Sequence, residues 1–379
     1  MGMVKKKKRR HLSPFFLTLL FMYNPNDTAI PNGNFFGFPH TVADSEIVLI
    51  SVPWDVTASY RAGTSNAPKA IKDASLQMDF FDFDVERAWE TRIGTEVLSE
   101  TIVDANKTYR KIAEKIMSDL ERGDFDGVHP ERSRRAQPPP GSRSLSGAEG
   151  SNVKESNLDA VNKACEVVNN YVHKLCESHL KNGKKIGLVG GDHSSPLGYI
   201  QALSEVYDDF GILHLDAHAD LRKAYQGFTY SHASIMYNAL QFKSVKKLVQ
   251  VGIRDVCQDE IDLANSDERI VQFNDFALKE AEFSGYTWQE QCNSIIQQLP
   301  KNVYISFDID VLSRDFCPNT GTPVPGGLSY NEAMFLLKLL KNSGRNIIGF
   351  DLCEVGDSPN EWDANVGARV LYKLCLMMA

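Results

Sequence analysis

Three features that this sequence lacks exclude whole classes of protein. It has no uninterrupted apolar run of about 20 residues, the length that a membrane-spanning helix needs; the N-terminal run Phe15–Met22 is far shorter. It has no excess of basic residues, because its net charge is −8, and a general nucleic-acid binder needs a basic surface to neutralise phosphates. It has no CxxC motif, and its seven cysteines are odd in number and scattered. Free thiols are typical of a reducing compartment, so we expect a cytoplasmic protein with neither a membrane nor a nucleic-acid partner.

Residues 1–44 are interpreted as an N-terminal tail and lead-in. A basic cluster precedes the short apolar run, as in a signal peptide, but no small-x-small cleavage site follows it. Two interpretations stay open: the segment is a disordered basic tail, or translation starts at Met22 and residues 1–21 are not native. We favour the second, and neither indicates export.

From residue 45 to residue 379, short apolar runs alternate with amphipathic segments. The runs predict strands at 46–53, 185–191, 211–216, 247–253, 302–310 and 346–355. Continuously apolar strands are typical of a parallel sheet covered on both faces. Residues 158–183 show the apolar spacing of a helix, and Ser329 with Glu332 three residues later predicts a capping box at the start of another. This alternation predicts one α/β domain with three αβα layers around a mostly parallel central sheet.

Residues 122–157 interrupt the pattern. They are rich in Pro, Gly, Ser and Arg and have no apolar periodicity, which is typical of a flexible, low-complexity insertion between two helices. No aromatic residues are interleaved with the basic ones. We therefore interpret the stretch as a solvated loop rather than a nucleic-acid patch.

Ionisable residues stand at the ends of three predicted strands. Asp216, His218 and Asp220 follow one strand at alternate positions, so their side chains point the same way. Ligands bind at this edge of open α/β sheets, and carboxylates gathered there without a cation would repel each other. Taken alone, the triplet fits a helix-capping Asp as well as a metal site. The other two strand ends favour the metal site, because they carry His193, Asp308 and Asp310.

The six residues together predict a pair of metal ions. Four carboxylates and two imidazoles suit Mn²⁺ or a similar divalent ion such as Ni²⁺, whereas structural zinc favours thiolates. Six ligands with four negative charges exceed the needs of one ion. Two ions about 3.5–4 Å apart, bridged by carboxylates, would use them all.

The motifs that carry these residues resemble those of the ureohydrolases, the family of arginase, agmatinase, formimidoylglutamase and guanidine hydrolase-like enzymes. The resemblance rests on GGDHS, DAHAD and SFDIDVL followed by TGTPVPGG, with SYRAGTSNAPKAI (59–71) and DLCEVGDSP (351–359). It covers the chain from about residue 45, except for the insertion. It implies an arginase-like fold and a homo-oligomer, either a trimer or a hexamer.

The resemblance implies a role for each metal-site residue. His193 and Asp220 would bind the first metal, and His218 and Asp310 the second. Asp216 and Asp308 would bridge the two ions.

The resemblance also implies how the chain handles its substrate. Glu354 would receive a guanidinium group, Asp220 would pass a proton to the departing nitrogen, and His232 would exchange protons with solvent. Trp362, with Trp54 and Tyr60, lies in or next to the family's loop motifs and is a candidate wall of a cation-friendly pocket. Each of these three aromatic residues could equally be core packing.

The implied reaction is hydrolysis of a guanidino compound to urea and an amine. Between Asp220 and His232 the chain lacks the Asn and Ser pattern by which arginases hold an α-carboxylate, which favours agmatine, giving putrescine and urea. Guanidine, giving urea and ammonia, comes next, followed by arginine and formimidoylglutamate. Ser313, Arg314 and Asn319 depart from the family pattern beyond the metal ligands, so they bear on the substrate loop rather than on metal binding.

Two alternatives belong to other classes of protein. Single-zinc deacetylases share the architecture but need only one Asp-x-His and one further Asp, whereas this chain carries the second carboxylate of each pair and the histidine of GGDHS. A catalytically inactive scaffold would have lost ligands, and none is missing.

Overall fold

The computed structural model of the protein describes residues 24–122, 147–358 and 360–379. Eight strands in this part of the chain form one sheet in which every neighbouring pair is parallel. They are β1 (Ile47–Val52), β2 (Ile93–Thr95), β3 (Lys185–Gly190), β4 (Phe210–Leu215), β5 (Val245–Val251), β6 (Ile270–Phe273), β7 (Asn302–Asp308) and β8 (Asn346–Cys353). Their order across the sheet is β2-β1-β3-β8-β7-β4-β5-β6.

Helices cover both faces of this sheet. They are α1 (Ala67–Ser75), α2 (Glu100–Glu121), α3 (Gly147–Lys181), α4 (Leu197–Val206), α5 (Ile235–Ala239), α6 (Gln258–Ser266), α7 (Asp275–Phe283), α8 (Trp288–Gln297), α9 (Tyr330–Asn342) and α10 (Trp362–Met378). Helices α2 to α6 pack on one face, and α1 with α7 to α10 on the other. Within the described ranges, no helix has the length and apolar character needed to cross a bilayer. The predicted three-layer α/β fold is confirmed.

The strands are apolar along their whole length because each one contributes side chains to two cores. In β1, Ile47 and Leu49 belong to the core beneath α1 and α10, whereas Val48 and Ile50 belong to the core beneath α2 and α3. Successive side chains of a strand point to opposite faces, so a strand covered on both sides has no polar face to alternate with. All six predicted strands are present, with ends that differ from the prediction by at most two residues.

The two edge strands, β2 and β6, were not predicted from the sequence. β2 has only three residues, and three of the four residues of β6 are half-buried. Neither therefore carries the continuous apolar run of a central strand. The predicted capping box is present: the Glu332 N–H donates to Ser329 Oγ at 3.2 Å, and the Ser329 N–H donates to Glu332 Oε2 at 2.7 Å.

Two predicted segments differ from the structure. Helix α3 begins at Gly147, so residues 147–157 belong to a helix and not to the insertion expected over 122–157. The segment contains good helix formers such as Ala148 and Glu149, but it lacks the apolar spacing on which the prediction was based. Residues 123–146 of the predicted insertion lie outside the described part of the chain.

The lead-in before residue 45 is also more than a tail. Phe35, Phe36 and Phe38 are fully buried and contribute to the core beneath α1 and α10. Aromatic side chains bury large apolar areas, which anchors this segment to the domain. The basic segment and the proposed start at Met22 lie outside the described residues.

Candidate metal centre

The end of β7 and the segments that follow β3, β4 and β7 bring the six predicted ligands to one place at the carboxyl edge of the sheet. Strands β7 and β4 are neighbours, and β8 alone separates β7 from β3. We call this group the metal centre; its members are His193, Asp216, His218, Asp220, Asp308 and Asp310. Five of them are at most 4% exposed, while the His218 side chain keeps 23% of its surface open.

The first half of the metal centre surrounds His193. Its Nδ1 lies 2.9 Å from Asp216 Oδ2, 3.4 Å from Asp220 Oδ2 and 3.3 Å from Asp308 Oδ2. Its other ring nitrogen, Nε2, lies 2.9 Å from Ser306 Oγ. Nδ1 is therefore the nitrogen that would coordinate a metal, and a hydrogen bond to the serine orients the ring.

The second half surrounds His218. Its Nδ1 lies 3.4 Å from Asp216 Oδ1 and 3.1 Å from Asp310 Oδ2. Asp216 thus offers one oxygen to each half, which is the position of a bridging carboxylate. In each half, ligand atoms from at least three residues lie within 4.8 Å of one another.

Backbone groups hold one oxygen of the carboxylates and leave the other turned inward. The Ala217 N–H donates to Asp310 Oδ1 at 3.0 Å, and the Asp310 N–H donates to Asp308 Oδ1 at 2.8 Å. The remaining oxygen, Asp310 Oδ2, is buried and accepts no hydrogen bond from the described residues. Buried polar atoms normally have partners, so an inward-facing bare oxygen beside His218 fits a bound cation.

The raised pKa values of two carboxylates show that the arrangement is unfavourable without bound cations. Burial and the charges of Asp310 and Asp216 raise the pKa of Asp308 well above its usual value. Burial and the charge of Asp216 raise the pKa of Asp220 to about 6. Carboxylates with raised pKa values are poorly neutralised by their surroundings. Two divalent cations would supply the missing positive charge.

Two residues of the site have a left-handed backbone. Asp220 has φ 54° and Glu354 has φ 61°, a conformation that costs side-chain-bearing residues about 1 kcal/mol or more. The carbonyl of Asp220 accepts hydrogen bonds from the Met236 and Tyr237 N–H groups. The carbonyl of Glu354 accepts one from Thr320 Oγ1 at 2.8 Å. The fold therefore holds both residues in orientations that an unconstrained chain would seldom adopt.

Glu354 follows β8 and lies directly beside the metal centre. Its Oε1 accepts a hydrogen bond from the His193 N–H at 3.0 Å, and its side chain is buried. A Cβ at Gly321 would approach Glu354 Oε2 to 2.8 Å, so glycine at position 321 leaves open space beside this oxygen. Glu354 lines a narrow recess with Ser59, His232 and Thr322. Burial and the charge of Asp192 raise the pKa of Glu354 well above its usual value, which a cationic ligand would counteract.

His232 stands where the recess meets a wider cleft. Its backbone N–H donates to Thr57 Oγ1 at 3.2 Å, and its Nε2 lies 3.4 Å from Ser59 Oγ. Desolvation and the charge of His218 lower the pKa of His232 to about 3. The ring is therefore neutral near pH 7, and its role in proton exchange stays a prediction.

The cleft has a volume of about 500 Å³ and opens above His218 and Asp220. Its walls come from loops far apart in the sequence, including Tyr60, Tyr225 and Arg314. Of the aromatic residues singled out from the sequence, Tyr60 is exposed in this cleft, whereas Trp54 is buried in the core.

Trp362 is not among the described residues that line the cleft. It borders a separate groove with Phe316 and Tyr330, and its Nε1–H donates to the Asp315 carbonyl at 2.9 Å. Because α10 begins at Trp362, the chain has already turned away from the site there. A role for Trp362 in substrate binding stays a prediction that this geometry does not favour.

One polar neighbour of the metal centre was missed in the sequence. His214 lies two residues before Asp216, in β4, and its Nε2 is 2.9 Å from Asp216 Oδ2. The same alternation that relates positions 216, 218 and 220 extends back to 214. The spacing of two residues along the strand is therefore the signal in the sequence that identifies His214.

The chain is similar to known proteins over most of its length. Residues 45–377 match the arginase family. N(1)-aminopropylagmatine ureohydrolase of Thermus thermophilus is 30% identical over 317 residues, which are 84% of this chain and 84% of that protein. Agmatinase of Halalkalibacterium halodurans is 33% identical over 220 residues, covering 56% of this chain and 70% of that protein.

Solved structures show the same fold at lower identity. Agmatine ureohydrolase of Thermoplasma volcanium aligns with a TM-score of 0.62 at 20% identity, covering 96% of this chain and 97% of that one. Proclavaminate amidino hydrolase of Streptomyces clavuligerus aligns with a TM-score of 0.66 at 19% identity, covering 93% and 99%. The arginase family uses a binuclear metal centre, for which the two halves described above are the candidate ligands. The chain therefore belongs to the arginase family and is a hydrolase of the ureohydrolase type.

Proposed function

We propose that this chain uses two divalent ions to hydrolyse a guanidino compound, releasing urea and an amine. The observation that carries the proposal is the position of Asp216, which offers one oxygen to the His193 half of the metal centre and the other to the His218 half. Mn²⁺ is the first candidate and Ni²⁺ the second, because carboxylates and imidazoles suit both.

The bound ions would supply a water molecule acidic enough to serve as a nucleophile near neutral pH. Glu354 would hold the guanidinium group by charge-assisted hydrogen bonds and so place its central carbon over the metal centre. Asp220 would pass a proton to the departing nitrogen, and His232, at the mouth of the recess, would exchange protons with solvent. Burial of these groups excludes bulk water and strengthens each electrostatic contact.

Agmatine is the proposed substrate, with putrescine and urea as products. Two observations support it: the arginase pattern for an α-carboxylate is absent between Asp220 and His232, and relatives are named for agmatine and its aminopropyl derivative. Guanidine is the second candidate, because the recess beside Glu354 is narrow and small.

A panel of guanidino compounds tests the proposal. Metal-free protein is reconstituted separately with Mn²⁺ and Ni²⁺, and urea release is measured with agmatine, N(1)-aminopropylagmatine, guanidine, arginine and formimidoylglutamate. We expect the highest kcat/KM with agmatine. A far higher value with guanidine would replace agmatine, and no urea from any compound would favour an inactive scaffold. One zinc per chain by metal analysis would favour a deacetylase-like site.

We further propose a cytoplasmic homo-oligomer, a trimer or a hexamer, with no membrane or nucleic-acid partner. Self-association is supported by a patch of aromatic side chains on the surface: Phe81 is 64% exposed and Phe83 95% exposed, with Trp89 stacked on Phe81. Exposed apolar patches mark protein or membrane contacts, and the partner proposed here is another copy of this chain. Light scattering on the purified protein would give the mass, and a monomer would contradict the proposal.

A further inference from the structure

A row of polar side chains crosses the sheet just before the strands reach the metal centre. His214 in β4 pairs in register with Gln250 in β5, and Gln250 pairs with Gln272 in β6. On the other side, His214 pairs with Ser306 in β7, and Ser306 with Asp351 in β8. We call these five residues the polar row. All but Gln272 are completely buried.

Polar groups at this depth cost free energy unless they are hydrogen-bonded. One side of the polar row forms a continuous chain of such bonds. Gln272 Nε2 donates to Gln250 Oε1 at 2.8 Å, and Gln250 Nε2 lies 2.9 Å from His214 Nδ1. His214 Nε2 then lies 2.9 Å from Asp216 Oδ2. This chain of hydrogen bonds thus runs from the edge of the sheet to a carboxylate of the metal centre.

The direction of these bonds follows from one backbone contact. Gln250 Nε2 also lies 2.7 Å from the Ala219 carbonyl oxygen, which can only accept. The Gln250 amide is therefore oriented as a donor, and His214 Nδ1 must accept from it. The hydrogen of the neutral imidazole is consequently on Nε2, from where it donates to Asp216 Oδ2.

We propose that His214 is a positioning residue that locks the bridging carboxylate of Asp216, and that Gln250 fixes the tautomer it needs for this. The proposal rests on the metal-dependent function proposed above. Asp216 Oδ2 is the oxygen nearest His193 Nδ1, so His214 controls the oxygen that faces the first half of the metal centre. Hydrogen bonds of this kind orient ligands, and losing one typically weakens metal binding 10- to 100-fold.

The test measures Mn²⁺ binding to metal-free protein by calorimetry, with no substrate present. His214→Phe keeps a planar ring but removes the donor, and we expect the dissociation constant for Mn²⁺ to rise by about 10- to 100-fold. His214→Gln places an amide N–H near the original Nε2 and should recover most of the loss. Gln250→Leu removes the donor that fixes the His214 tautomer and leaves every metal ligand in place, so we expect a smaller rise than in His214→Phe.

Tyr199→Phe is the matched control. It deletes one hydrogen bond from an equally buried side chain, to the Ile186 carbonyl at 2.9 Å. This variant should melt at a lower temperature yet bind Mn²⁺ with the wild-type constant, because stability alone does not orient Asp216.

Wild-type Mn²⁺ affinity in His214→Phe would overturn the positioning role. If that variant does not fold, wild-type affinity in Gln250→Leu would overturn it instead. A wild-type protein that binds no divalent ion would contradict the proposed function itself, which separates the two failures.

Discussion

Two buried clusters in this molecule differ in whether their own contacts are favourable or repulsive. One is an aromatic cluster of Phe35, Phe36, Phe38, Phe80 and Tyr372, with ring centroids 4.9–6.4 Å apart in tilted or edge-on contacts. Its contacts are favourable in themselves, and the Tyr372 hydroxyl donates to the Phe80 carbonyl at 2.9 Å.

The other cluster is the metal centre, whose carboxylates repel each other and leave an inward oxygen bare. The aromatic cluster stabilises the fold with or without a ligand. We expect the metal centre to stabilise the fold only when cations are bound, because an arrangement that is costly without a ligand indicates function.

The largest expected effect comes from breaking the metal centre. In Asp308→Asn, the amide oxygen can still accept from the Asp310 N–H, but the oxygen that faces His193 becomes an NH₂ group. We expect kcat/KM to fall at least about 1000-fold, equivalent to about 4 kcal/mol, because an ion loses a charged ligand. Urea release at saturating Mn²⁺ measures this.

The stability of the metal-free protein should stay equal or rise in the same variant, although its activity falls. Asp308→Asn removes one of the mutually repelling carboxylates, so the metal-free protein should unfold at an equal or higher denaturant concentration than wild type. Activity within tenfold of wild type would show that Asp308 is not a ligand.

Breaking the aromatic cluster should give the reverse pattern. Phe38 is fully buried, with its ring centroid 4.9 Å from that of Phe80. Phe38→Ala leaves a cavity in the core, and we expect the free energy of unfolding to fall by about 3–5 kcal/mol. The folded enzyme should keep its kcat. Chemical denaturation with and without Mn²⁺ tests this, and a large loss of kcat at a temperature where the variant is folded would contradict it.

Removing the metal should distinguish the two clusters in one experiment. Each ion that binds only the folded state stabilises it by about 2.7 kcal/mol at 100 times its dissociation constant, so two ions would contribute about 5.4 kcal/mol. We therefore expect wild-type protein to lose that amount on chelation, and Phe38→Ala to lose the same amount from its lower starting value. Asp308→Asn should lose much less. Equal losses in all three proteins would show that the metal centre does not bind the stabilising ions.

The contrast also explains what the sequence predicts well. The metal-centre residues follow short apolar runs at spacings of two, and parallel strands bring their carboxyl ends to one edge. Local pattern and topology together are therefore enough to place six side chains. The aromatic cluster has no such signature, because Phe38, Phe80 and Tyr372 are far apart in the sequence and meet only through packing.

The substrate cleft shows the same limit. Tyr60, Tyr225 and Arg314 come from three separate loops, and no periodicity relates them. Trp362 follows the Glu354 motif closely in sequence, yet α10 begins there and carries it to another groove. Proximity along the chain is a poor guide once the backbone turns, whereas alternation along one strand is a strong guide.

The smallest expected effect concerns Glu332, a carboxylate paired with a lysine, in contrast to Asp308 and Asp220 of the metal centre, whose pKa values are raised. Glu332 is held by Lys279 Nζ at 2.6 Å. Burial alone would raise its pKa, but hydrogen bonds from Lys279 and Ser329 outweigh burial and leave the pKa lowered. Its stabilisation is therefore present at neutral pH and is lost as the pH falls through its lowered pKa. Glu332→Gln keeps an acceptor for the Ser329 N–H but loses the charge, so it isolates the ion pair.

For this partly exposed pair we expect Glu332→Gln to cost about 0.5–1 kcal/mol at pH 7. The cost should begin to shrink as the pH falls below about 4.3, the usual pKa of a glutamate, and should vanish only below the lowered pKa of the wild-type carboxylate. Denaturation of metal-free wild type and variant at pH 7, 5 and 3.5 measures the difference, and Lys279→Met should reproduce it. Opposite signs in Asp308→Asn and Glu332→Gln would show that a carboxylate's effect on this fold is set by its neighbours. A pH-independent cost in Glu332→Gln would mean that the capping contact, rather than the charge, carries the stabilisation.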